Sequence, residues 1–248
     1  MLGGFFNRWY YGNEHKPDLK EEDIPKGGIA RFFDVLKTHF WKLVQLNILL
    51  VVFSVPVITI GPALAGFNYV LRNYSLGRPV WVWSDFKDGA LKNLKDSFIV
   101  SIINAVAAIV LYINFRFYST VKLAVISVLA RYLILTISFV FILMNIYIFP
   151  LLVTYQLRIR DVYKNAFIFT IIKLPHTIGI LLLCIAIVIL SVFLAYLPLF
   201  FISLSFIGLI INVYCRSVFY EYIDSRMEQL ENTNSTKESD ENSKGGNE

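Results

Sequence analysis

Hydrophobic and polar positions along this chain fall into blocks rather than into an alternating pattern. The clearest block, Thr177 to Phe219, contains ILLLCIAIVILSVFLAYLPLFFISLSFIGLIINVYC, and Arg216 is its one charged side chain. A bilayer-crossing helix takes about 20 mostly apolar residues, whereas a helix on a soluble core keeps a polar stripe. The block therefore predicts two membrane helices, Thr177–Leu197 and Leu199–Phe219, turning at Pro198. Phe98–Phe115 and Tyr132–Tyr155 are two more runs of spanning length. The first run, Leu43–Pro56, gives only about 21 Å of helix at 1.5 Å per residue, against a hydrocarbon core of about 30 Å. Pro56, Gly61 and Pro62 then separate it from a second short run, Ala63–Leu71. This region is either one broken span or a two-helix hairpin. The hairpin gives six passes, the first two short.

The segments between runs are amphipathic. Ile29–Lys42 sets Phe32, Phe33, Leu36, Phe40 and Trp41 at helical spacing, as in a helix lying in the membrane interface. Arg72–Lys95 is basic and aromatic, Arg158–Lys173 is basic and amphipathic, and Val121–Ala130, bounded by Lys122 and Arg131, reads as an interfacial or loop piece. FFDVLKTHFWKLVQL, SDFKDGALKNLKDSFIV and IRDVYKNAFIFTIIK share a plan of Asp, then Lys, then an apolar run. That plan is either an internal repeat or simply how any helix enters a membrane from its charged side. Residues 1–28 read as an exposed polar arm and 29–222 as the membrane domain. Residues 223–248 form an acidic tail too polar to fold alone. The expected fold is all-α: a polytopic transmembrane helix bundle of about five to six membrane helices, the first broken at Pro56/Gly61–Pro62, with amphipathic interfacial helices.

Composition agrees: 56% of the 248 residues are hydrophobic and 17% charged, against about 45–50% and 25% in soluble domains. The net charge of +5 does not point to nucleic acid, because the cations sit at the ends of apolar runs, where anionic head groups attract them. Trp41, Arg72, Arg78, Trp81, Trp83, Lys92, Lys95, Arg158, Arg160 and Lys164 are the expected interface anchors. Basic loops before the first run, at 72–95 and at 158–173 predict a multi-pass protein of a bacterial cell membrane with both termini cytoplasmic. Arg116, Lys122 and Arg131 are a counter-signal. Met1–Tyr11 lacks the apolar core of a signal peptide, so insertion is expected to use the first run.

Candidate chemistry is sparse. The apolar runs contain no Asp or Glu, which argues against a proton-driven pump. No Walker, HExxH or Gly-x-Ser-x-Gly pattern occurs, and His15, His39 and His176 are scattered. The expectation is a non-enzyme with no cofactor or metal, and Cys184 and Cys215 read as packing residues. The runs do carry amides, notably Asn47, Asn68, Asn104, Asn145 and Asn212. These are either glue between helices or the lining of a polar cavity for a hydroxyl-rich ligand. Pro56, Thr59, Gly61 and Pro62 form a candidate hinge. Pro56 forbids a regular helix, Gly61 permits a sharp bend, and Pro62 can open the next helix. The alternatives there are a plain turn and a site-forming break as in transporters.

LVQLNILLVVFSVPVITIGPALAGFNYVLRNYSLGRPVWVWSDFKDGALKNLKDSF closely resembles the YesL family of bacterial membrane proteins. GGFFNRWYYG and DVYKNAFIFTIIKLP are similar to it too, so the likeness covers roughly Met1 to Tyr222. The resemblance implies a membrane protein of unknown biochemical activity. Family members stand beside sugar-import ABC transporter components and carbohydrate-degrading enzymes. That context implies an accessory or assembly subunit of carbohydrate ABC-type import, with permease subunits as partners. The alternative is a small stand-alone permease or channel for a sugar or other polar solute, and self-association stays open. The family supplies no catalytic residues.

Overall fold

A computed structural model describes residues 28–120, 124–194 and 198–225. Apart from Gly28 and from residues 223–225, the expected arm and tail lie outside them. Among the described residues the chain forms eight helices: α1 (Gly28–Ser54), α2 (Ile60–Leu76), α3 (Val82–Lys92), α4 (Leu94–Thr120), α5 (Ala124–Thr154), α6 (Ile159–Ile172), α7 (Leu174–Phe193) and α8 (Leu204–Phe219). No strand occurs among them. Five helical stretches are long and apolar enough to cross a membrane: Gly28–Ser54, Leu94–Thr120, Val125–Thr154, Leu174–Phe193 and Phe201–Asp224. The molecule is an all-α helical bundle of membrane-protein character.

The expected interfacial helix at 29–42 and the run that follows it are two helices meeting at His39, whose backbone (φ −125, ψ 22) leaves the helical region, and together they make up α1. One local expectation is corrected. The piece at 121–130 is, from Ala124 on, the opening of α5, because nothing between Ala124 and Arg131 breaks a helix. The break at 56–62 resolves as a hairpin. Arg31 Nε donates to Tyr74 O at 2.9 Å and Thr59 Oγ1 donates to Phe53 O at 2.6 Å, so the start of α1 lies by the end of α2 and their other ends meet at the turn. Leu43, Leu46 and Leu50 of α1 pack with Ala63, Phe67, Val70 and Leu71 of α2 in one buried cluster. Gly77, in the left-handed region at φ 77, ends α2, a conformation that favours glycine.

The three segments that share a charged-to-apolar plan adopt one structure three times. Each is a short amphipathic helix, a one-residue break and a longer helix. The breaks have nearly one backbone conformation: His39 (φ −125, ψ 22), Asn93 (φ −107, ψ 16) and Lys173 (φ −105, ψ 27). A returning helix completes each unit: α2, α5 and α8. Every return helix carries an inward asparagine, in Asn68-Tyr69-Val70-Leu71-Arg72, Asn145-Ile146-Tyr147-Ile148-Phe149 and Asn212-Val213-Tyr214-Cys215-Arg216.

The units also pack in a cycle. The amphipathic helix of one lies on the return helix of the unit before it. α3 crosses α2 so closely that a Cβ on Gly66 would strike Phe86 O, and one on Gly89 would lie 2.5 Å from Tyr69 Cβ. Val162, Ala166 and Phe169 of α6 pack with Leu151 and Leu152 of α5. The first half of α1 closes the ring on α8, with Phe32 against Phe206 at 4.9 Å between ring centroids.

Candidate functional site

The five membrane amides fall into three separate ties rather than one network. Asn212 Nδ2 donates to Asn68 Oδ1 at 2.9 Å and also to Gly208 O, joining α8 to α2. Asn104 Nδ2 donates to Asn145 Oδ1 at 2.8 Å, and Tyr163 OH donates to Asn104 Oδ1 at 2.8 Å, joining α4, α5 and α6. Asn47 Oδ1 accepts the Ser205 N–H at 2.9 Å, joining α1 to the start of α8. Each tie joins a different set of helices, with α8 in two of them, and amides in apolar surroundings reach such partners because the alternative is an unpaired polar group.

A fourth polar cluster went unread in the sequence. Tyr147 OH lies 2.6 Å from Thr177 Oγ1 and 2.9 Å from Tyr214 OH, and Thr177 Oγ1 lies 3.2 Å from Tyr214 OH. The signal was present: both tyrosines stand two residues after the asparagine of their return helix. Pro150, inside α5, cannot donate to the carbonyl four residues back. That carbonyl, Ile146 O, accepts instead from Cys215 Sγ at 3.6 Å. Cys215 therefore repairs a proline break as well as filling space.

Arginines gather where the return helices end. Arg72 donates to Val153 O at 2.5 Å, Arg216 to Ser75 O and Arg31 to Tyr74 O. The last carbonyls of a helix lack intrahelical partners and carry partial negative charge, so cations there satisfy both. Arg72, one of the expected interface anchors, is partly buried and ties α2 to α5. Trp41 is 78% exposed. Trp81, Trp83, Arg78, Lys92, Lys95, Arg158, Arg160 and Lys164 are also exposed, although Trp83 leans on Phe53 at 6.0 Å between centroids. Lys173 pairs with Glu221 at 2.9 Å, and that hydrogen bond pushes the lysine pKa up. Burial raises the Asp85 carboxyl even though its oxygen accepts the Trp81 N–H. Burial lifts the Tyr163 phenol to about 12.

Two concave features adjoin these clusters. A cavity of about 40 Å³ lies among Arg72, Tyr155, Asn212, Cys215, Arg216 and Asp224, room for little more than water. An apolar groove of about 410 Å³ opens between α4 and α5, lined by Ala108, Leu111, Tyr112, Phe115, Leu135, Ser138, Phe141, Ile142 and Asn145. The hinge residues are at neither. Pro56, Thr59, Gly61 and Pro62 form the α1–α2 turn, where Thr59 Oγ1 caps the carbonyls of Phe53 and Pro56.

A family described as "Protein of unknown function, DUF624" matches residues 43–115. The match starts four residues after the His39 break and covers the second half of α1, α2, α3 and most of α4. No curated protein and no solved structure matches the chain.

Proposed function

We propose that this protein is a non-enzymatic accessory subunit of the bacterial cell membrane that holds a helix of a partner permease in the α4–α5 groove. The groove carries the reading. It is built from apolar side chains on two long helices, it is open along one side, and its polar floor, Asn145, is already tied to Asn104. The membrane amides that would line a solute path in a stand-alone permease are spent on helix ties. The small cavity at the arginines has no room for a sugar. The YesL-like segments and the DUF624 match overlap from Leu43 onward, and the genomic company of that family points to a carbohydrate ABC importer as the partner.

The basic amphipathic helices α3 and α6 and the breaks at His39, Asn93 and Lys173 then face the cytoplasm, by the excess of Lys and Arg in those connections. Both termini lie on that side. The exposed part of α4–α5 reaches the opposite face, which accounts for Arg116 and Arg131 as flanking residues of the far interface.

The test is a photo-crosslinking residue at Leu135 or Ile142, in cells grown on single glycans. The expected product is an adduct with an importer permease subunit, and none forms from an equivalent probe at Lys164 on α6. Adducts with lipid alone, or with a second copy of the chain alone, would overturn the reading.

A further inference from the structure

The three units share a common baseline. The ends of the return helices converge through Arg72 on Val153 O, Arg216 on Ser75 O, and Tyr155 OH on Asp224 at 2.7 Å. The breaks sit at the same end. His39 rings against Tyr74 at the end of α2, and Lys173 pairs with Glu221 beyond the end of α8. Only three residues separate Thr120 from Ala124, so α4 and α5 can pair only antiparallel, and Asn104 near the start of α4 pairs with Asn145 near the end of α5; α4 therefore starts beside the end of α5. Measured from that baseline, the outgoing helices differ in reach. At 1.5 Å per residue, α4 runs about 40 Å, α7 about 30 Å, and α1 beyond His39 only about 22 Å.

The first hairpin is shallower still, because its turn lies beside the start of α4. A Cβ on Gly61, next to the turn, would lie 2.5 Å from Ser97 O and 2.6 Å from Ser101 Oγ. These two residues belong to the opening turns of α4. The turn therefore stands near the start of α4, which continues from Ser101 to Thr120 for about another 28 Å. No straight bilayer can have both the α1–α2 turn and the far end of α4 at one face.

The turn itself has lipid chemistry. Val55, Val57 and Ile58 are 76%, 80% and 73% exposed. Turns draw on Gly, Pro, Asn, Asp and Ser; this one, VPVITIGP, has the prolines and a glycine that shape the chain but no Asn, Asp or Ser to meet water, and its remaining residues are Val, Ile and Thr. Backbone at membrane depth must be satisfied internally. Here Thr59 N–H donates to Pro56 O, and Thr59 Oγ1 covers Phe53 O and Pro56 O.

From this geometry we infer that the α1–α2 hairpin is a re-entrant loop whose apolar tip, Val55–Ile58, ends among lipid acyl chains and never reaches the far face. The hairpin enters and leaves on the side of the basic helices, and only α4, α5, α7 and α8 cross. Its ligand is the hydrocarbon of the lipid leaflet on that side. The inference does not depend on the α4–α5 groove having a partner.

Single cysteines decide it. Val57→Cys and Ile58→Cys change exposed side chains that support no packing, and the native Cys184 and Cys215, embedded in α7 and α8, serve as the background. Ser119→Cys at the far end of α4 and Lys92→Cys on α3 are the reference positions. A membrane-impermeant maleimide is applied to intact cells and, separately, to inside-out vesicles. Ser119→Cys should label in one preparation and Lys92→Cys in the other. Val57→Cys and Ile58→Cys should label in neither, and should label once the protein is dissolved in mild detergent. A nitroxide on Val57→Cys in vesicles should be relaxed by oxygen and not by a water-soluble nickel chelate. Labelling of either tip cysteine together with Ser119→Cys would mean that the hairpin crosses. Labelling together with Lys92→Cys would mean that it lies in water. Either result overturns the inference.

Discussion

Single residues here act mostly by satisfying one another. Asn212 and Asn68 share a hydrogen bond between two return helices, and removing one partner leaves the other without it. Replacing either with Leu should lower the thermal unfolding temperature in detergent. In a double-mutant cycle the pair should show a coupling of about 0.6–2 kcal/mol, the range of polar ties between membrane helices. Strict additivity of the two single changes would show that the contact contributes nothing. Cys215 offers a sharper case. Cys215→Ala removes the donor to Ile146 O and should destabilise the native chain. In a Pro150→Ala background, where the new backbone N–H can donate to that carbonyl itself, the same change should cost less. An equal loss in both backgrounds would assign Cys215 to packing alone.

At the scale of elements, contact between helices is set by small residues. Gly66 and Gly89 let α2 and α3 meet backbone to backbone, and a methyl there has nowhere to go. Gly89→Ala should destabilise by about 1–3 kcal/mol, as overpacking does, or prevent folding, read as the fraction recovered as a monodisperse peak from detergent. Gly179 is the internal control. Nothing lies within 4 Å of a Cβ built on it, and Gly179→Ala within α7 should be neutral or stabilising by up to about 1 kcal/mol through helix propensity. Loss of protein from both variants alike would remove the distinction between contact and open surface.

At the scale of the whole molecule, the three units are locked where their return helices end. Arg72 and Arg216 each hand a cation to the terminal carbonyls of the next return helix around the ring. The third position is Phe149, and Tyr155 with Asp224 makes that link instead. Arg72→Met should cost about 1.5–3 kcal/mol, the worth of a charge-assisted hydrogen bond, and so should Arg216→Met. The double variant should loosen α2 from both neighbours, seen as faster hydrogen exchange in Leu71–Leu76. Unchanged exchange there would mean that the ring holds without its cations.

Much of this was legible along the chain because lipid makes a simple demand. Helices must be apolar and long, and their charged ends must stay near water. The four full-length runs, the amphipathic segments before α4 and α7 and the turn at Pro56–Pro62 could therefore be read from composition and period alone. The sequence also carried the likeness among three charged-to-apolar segments, although not what it meant. The partners of each asparagine, the Tyr147–Thr177–Tyr214 cluster and the burial of Arg72 were decided by tertiary structure. Those contacts join positions 30 to 158 residues apart, and no local pattern records which helix lies beside which. Tertiary structure also decided the depth of the first hairpin. Its length alone allowed a thin span or a shallow loop, and the choice rests on where Gly61 meets α4. That contact joins residues 36 to 40 positions apart in the chain, Gly61 with Ser97 and Ser101, and no pattern local to the hairpin records it.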